Sequence, residues 1–64
     1  MASLSTIDFH VALNRGMLSK ARNYVEIEPD LYMVRTDRST FYIRASRWDM
    51  ADAAERMGIR EARR

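Results

Sequence analysis
No cysteine occurs in these 64 residues, so neither a disulfide nor a thiolate-bound metal can brace the chain. Long apolar runs are missing as well. The longest covers residues 31–34, far short of the ~20 residues a membrane-spanning helix needs. Neither a basic nor an apolar stretch opens the sequence, so no secretion signal is expected, and the expected location is cytoplasmic with no membrane association. Histidine occurs once and glycine twice, which removes most catalytic triads and every glycine-rich phosphate loop from consideration.

What remains is a globular composition, 47% hydrophobic and 31% charged. Residues 1–64 are expected to form one small domain. A chain of this size buries only about 60% of the surface its unfolded form exposes. It therefore gains from tight packing, a partner or a second copy of itself, and a homo-oligomer fits that need. The net charge of +2 is unevenly placed. Residues 1–34 hold three basic and four acidic side chains, whereas residues 35–64 hold eight arginines against five acids. Lys20 is the one basic residue that is not arginine. Arginine suits bidentate contacts to carboxylates and phosphates, and it stacks on rings.

Ser5 and Asp8 read as a capping box ahead of a helix over residues 6–22, with Ile7, Val11, Leu18 and Ala21 on one side. A strand competes at its start, because Ile7, Phe9, Val11 and Leu13 alternate with Asp8, His10 and Ala12. Gly16 is a place where that helix could break. Residues 24–28, 31–36 and 40–44 are β-prone and separated by turn signals at Pro29-Asp30 and Asp37-Arg38-Ser39, which predicts a three-stranded meander. A two-residue loop at Pro29-Asp30 sets Val25 opposite Val34, and a loop around Arg38-Ser39 sets Val34 opposite Ile43. Both hairpins then share one apolar face: Val25, Ile27, Tyr32, Val34, Phe41, Ile43 and Ala45. Tyr24, Glu26, Glu28, Met33, Arg35, Tyr42 and Arg44 fall on the other. Ser46 with Asp49 predicts the cap of a last helix striped by Met50, Ala53, Ala54 and Met57. That helix is expected to pair Asp52 with Arg56 and to stop at Gly58 with Ile59 folded back. Residues 60–64 are expected to continue as a short helical turn. The predicted fold is α+β, a two-layer α-β-β-β-α arrangement with both helices on one face of an antiparallel meander.

Catalytic chemistry is not expected. His10 falls within the apolar arc of the first helix, as a partly buried packing residue would. Asp49 and Asp52 lie beside Arg56 as a solvated face, so no metal site and no cofactor are expected. Binding surfaces are easier to name. The open sheet face would place Tyr24, Arg35 and Tyr42 in one row with Arg44 beside Met33, and Trp48 stands off the apolar stripe of its helix, where it could anchor a partner or staple the helix start to the hairpin. Partner binding is therefore expected at Tyr24, Met33, Arg35, Tyr42, Arg44 and Trp48. If the partner is instead nucleic acid, Arg35, Arg44, Arg47, Arg60, Arg63 and Arg64 are the expected contacts.

Two resemblances bear on this. Residues 54–59, Ala-Glu-Arg-Met-Gly-Ile, resemble the first half of a helix-turn-helix, although only five residues follow Ile59 and a recognition helix does not fit in them. The α-β-β-β-α order is similar to that of double-stranded-RNA-binding domains, and residues 46–54 resemble the Ser-Lys-Lys-x-Ala-Lys-x-Ala-Ala helix start of that family. Trp48 and Ala51 stand where two phosphate-contacting lysines would be, and the Pro29-Asp30 hairpin is too short for the family's minor-groove loop. The resemblance implies a fold of that general shape. The functional expectation is a small non-enzymatic regulator or inhibitor, of the kind phages and mobile elements carry, that docks on a larger protein. The alternatives are an arginine-rich nucleic-acid-binding regulator and a structural subunit of a larger assembly.

Overall fold
The computed structural model describes residues 5–62. Its first element is β1, Thr6–Asp8, and only then does a helix begin, α1, Phe9–Asn14. Asp8 is the cap: its carboxylate accepts the His10 backbone N–H at 3.0 Å. The helix expected over residues 6–22 is thus a strand and a short helix, and the Ser5 cap is not used. Gly16 ends the turn after α1 with φ 72°, a conformation that side-chain-bearing residues rarely adopt. A single 3-10 turn, Leu18–Lys20, follows and leads directly into β2, Ala21–Glu28. Phe9, Ala12 and Leu18 are the buried residues of this region. His10 is exposed, its ring meeting Phe9 edge-on at 5.4 Å, so it is not the packed histidine the helical projection suggests.

The meander is present as β2, β3 (Leu31–Thr36) and β4 (Thr40–Arg44), but its register differs from the expected one. Glu28 stands opposite Leu31, as a two-residue loop requires, yet Glu26 stands opposite Tyr32 and Tyr24 opposite Val34. Three residues of β2 therefore face two of β3, a bulge at Ile27. The cause lies in the turn. Tight hairpin turns matched to strand twist need positive φ at their first central residue, and proline there is fixed near −65°. Asp30 takes the left-handed conformation instead, with φ 63°. A bulge beside such a turn adds the missing right-handed twist. Because side chains alternate, the one-residue slip turns the rest of β2 over. Tyr24 enters the core, and Val25 moves to the open face.

The second hairpin shifts by two residues, so every side chain keeps its face. Tyr32 pairs with Ile43 and Val34 with Phe41. The loop is Asp37-Arg38, one residue earlier than expected. Thr36 Oγ1 accepts the backbone N–H groups of Arg38 at 3.2 Å and Ser39 at 3.0 Å, closing the loop there. A second bulge, at Arg22, lets β2 pair Ala21 with Thr36.

Ser46 caps α2, Arg47–Met57, by accepting the Asp49 N–H at 3.1 Å. Gly58 ends it at φ 70°, and the Ile59 N–H returns to the Ala54 carbonyl at 2.9 Å. Met50, Ala53, Ala54 and Ile59 are buried, while Met57 stays exposed. Complete burial of Met50 contributes roughly 1.5–3 kcal/mol. Residues 60–61 are not a helical turn. They form β5, Arg60–Glu61, parallel to β2, and the Ala62 N–H donates to the Tyr24 carbonyl at 2.7 Å.

The fold is α+β, a five-stranded mixed sheet in the order β1-β4-β3-β2-β5. The central three strands are the expected meander, and two short parallel strands extend its edges. The buried residues of α1, the 3-10 turn and α2 join Tyr24, Tyr32, Val34, Ile43 and Ala45 in one cluster, so the helices share one face of the sheet. Among the described residues no helix is long and apolar enough to cross a membrane.

Candidate functional site
The face away from the helices is the first candidate. In register, Thr6, Tyr42, Met33 and Val25 form one cross-strand row over β1, β4, β3 and β2. Thr40, Arg35, Asn23 and Arg60 form the next row. Asp8, Arg44, Leu31 and Glu28 form the row on the other side. Val25, Met33 and Tyr42 are half-buried by their neighbours alone, and Leu31 is 4% exposed although it lies outside the core cluster. An apolar stripe thus crosses the sheet, with Arg35 and Arg60 on one side and Arg44 in a row with Asp8 and Glu28 on the other.

The structure keeps Met33, Arg35, Tyr42 and Arg44 together on this face, as expected. It takes Tyr24 away: that ring is 8% exposed on the opposite side, so the row of an arginine between two tyrosines does not exist. Val25, Leu31 and Arg60 take its place. Sequence alternation could not place Val25, since the β2 bulge decides which side of the sheet it occupies, nor Arg60, which reaches the face only through the pairing of β5 with β2. Among the described residues Arg35, Arg44 and Arg60 form no ion pair.

Trp48, on the first turn of α2, is 84% exposed and staples nothing. Arg47 lies beside it but borders a different feature, a pocket between α2 and the sheet. Arg63 and Arg64 lie outside the described residues.

A cleft of about 680 Å³ opens at the far end of the second hairpin, between Met17, Lys20, Arg22, Thr36, Arg38 and Phe41. Arg22 clamps Asp37 there, with Nε to Oδ1 at 2.7 Å and Nη2 to Oδ2 at 2.9 Å. That hydrogen-bonded guanidinium holds the Asp37 carboxyl below its ordinary range. Both groups are exposed, so the pair fixes the loop more than it stabilises the fold. No sequence signal marked this pair, because residues 15 apart meet only through the register.

No protein-family model matches the chain, and no curated protein or solved structure matches it.

Proposed function
We propose that this domain is a non-enzymatic regulator that docks on a larger protein through the open face of its sheet. The observation that carries this reading is the half-buried row Val25, Met33 and Tyr42. It is an apolar stripe across a sheet face that no described helix covers. An apolar centre rimmed by arginine is the composition of protein interfaces, where aromatic, methionine and arginine side chains are enriched. Trp48, exposed at the start of α2, adds a second anchor at another part of the surface.

The test is capture of partners by the tagged chain from its native host, with and without nuclease. Met33→Asp and Tyr42→Ala are expected to abolish capture of a nuclease-resistant partner while circular dichroism and the unfolding midpoint stay near those of the parent. Unchanged capture by both variants overturns the reading.

A second reading rests on Arg35, Arg44 and Arg60. Register brings all three to the face that carries Tyr42, with Asp8 opposite Arg44, and among the described residues none of the three is in an ion pair. A single nucleic-acid strand could stack on the ring and track the arginines. Loss of capture after nuclease treatment favours it.

A further inference from the structure
Tyr24 and Tyr32 are buried on the helix side of the sheet, 8% and 3% exposed, with ring centroids 5.8 Å apart. Neither hydroxyl has a hydrogen-bond partner among the described residues. Both rings line a pocket of about 270 Å³ between β2, β3 and the first turns of α2. The rings are buried but the hydroxyl oxygens are not sealed from solvent, so both are left free to accept or donate a hydrogen bond to a ligand in the pocket they line.

The charges around them narrow the ligand. Glu61 pairs in register with Tyr24, and Glu26 with Tyr32, so each ring has a carboxylate beside it on the same side of the sheet. Both carboxylates line the pocket, and neither is in an ion pair. Arg47 is the one cation at the rim and leaves the lining at a net charge of −1. The phenols are held neutral, since burial first and the neighbouring carboxylates next raise them above their ordinary value. Neutral hydroxyl oxygens accept hydrogen bonds, aromatic faces attract cations, and the carboxylates supply charge. An anion, the phosphates of a nucleotide included, would meet two carboxylates. Two carboxylates are too few for a hard divalent ion, which takes six or more oxygens.

We propose that this pocket binds an organic cation, the guanidinium or alkylammonium group of an arginine, a lysine or a free amine, between the two tyrosines and the two glutamates. The site lies across the sheet from the docking face and stands independently of it.

The test is an NMR titration of the full chain with N-acetylarginine methylamide, with spermidine in a second arm and N-acetylaspartate methylamide as the anionic control. Saturable shifts are expected at Tyr24, Tyr32, Ala51 and Glu61 with the cations and not with the anion. The Glu26→Gln/Glu61→Gln double variant should lose about tenfold or more in affinity. Tyr32→Phe, which keeps the ring and removes a hydroxyl that bonds nothing in the fold, should weaken binding without lowering the unfolding midpoint. A stronger response to the arginine compound assigns the pocket to a partner's side chain, and a stronger response to spermidine assigns it to a free amine. Absence of saturable shifts, or affinity unchanged in the double variant, overturns the proposal.

Discussion

The Tyr24 ring lies 5.8 Å from that of Tyr32, centroid to centroid, with the planes tilted by 60°. This contact exists because the bulge at Ile27 rotates β2, and it joins the second strand to the core through an aromatic pair. Aromatic pairs at this spacing contribute about 0.5–1.5 kcal/mol beyond the area they bury.

Truncating either ring should therefore be far worse than removing its hydroxyl. Tyr24→Ala and Tyr32→Ala are expected to cost about 3–5 kcal/mol, a large fraction of the stability of a domain this small. Tyr24→Phe should stay close to the parent, because the hydroxyl has no partner among the described residues. Urea unfolding of the four variants, with the Phe substitution made at both positions, checks the contrast. Similar losses for Phe and Ala would show that the hydroxyls are structural.

Alkaline pH should weaken the fold through the same two residues. Burial, then the nearby carboxylates, raises both phenols above their ordinary value. A group whose folded value is raised contributes stability that is fully present below its unfolded value, about 10 for tyrosine, and is lost as pH rises through the folded value. Stability should hold to about pH 10 and then fall. The Tyr24→Phe/Tyr32→Phe double variant should show a shallower fall over the same window. Thermal unfolding measured from neutral pH upward compares the two.

The meander, the last helix with its Ser46 cap and its Gly58 stop were legible in the sequence because each rests on local signals. Thr40, Phe41 and Ile43 alternate in type, and Gly58 supplies a conformation that few other residues can. The open face was legible in half. Met33, Arg35, Tyr42 and Arg44 lie on two strands whose relative register moved by an even number of residues, which leaves every face unchanged. Tyr24 and Val25 exchanged faces because a bulge has no residue signature of its own; it follows from the mismatch between a proline turn and strand twist. β1 and β5 were illegible for another reason. Strands of three and two residues carry no periodicity, and they form only because sheet edges are there to receive them.

Gly16 and Gly58 should respond alike to substitution. Their φ values are 72° and 70°, and a Cβ at either would meet nothing within 4 Å. Strain alone then sets the effect of alanine, about 1 kcal/mol at each site. Asparagine, which tolerates the left-handed conformation, should cost less. Chemical unfolding of the alanine and asparagine variants checks the order. A much larger loss at one site would mean that the backbone there is held by contacts beyond its own conformation.

Salt separates the two functional readings. If Arg35, Arg44 and Arg60 each contact one phosphate of a single strand, the logarithm of affinity should fall with the logarithm of salt at a slope of about −2. Arg35→Ala should lower that slope by roughly one contact's share, about 0.7, whatever the base sequence. A protein partner seated on Val25, Met33 and Tyr42 behaves differently. Burial of an apolar stripe is insensitive to moderate salt, while rim arginines change mainly the rate of encounter. Arg35→Ala should then slow association at low salt and leave dissociation nearly unchanged, whereas Met33→Asp should speed dissociation. Surface plasmon resonance with the captured partner and with a single-stranded probe, each at two salt concentrations, measures both signatures. A steep slope with the probe together with salt-insensitive Met33→Asp defects would assign the face to both kinds of partner in turn.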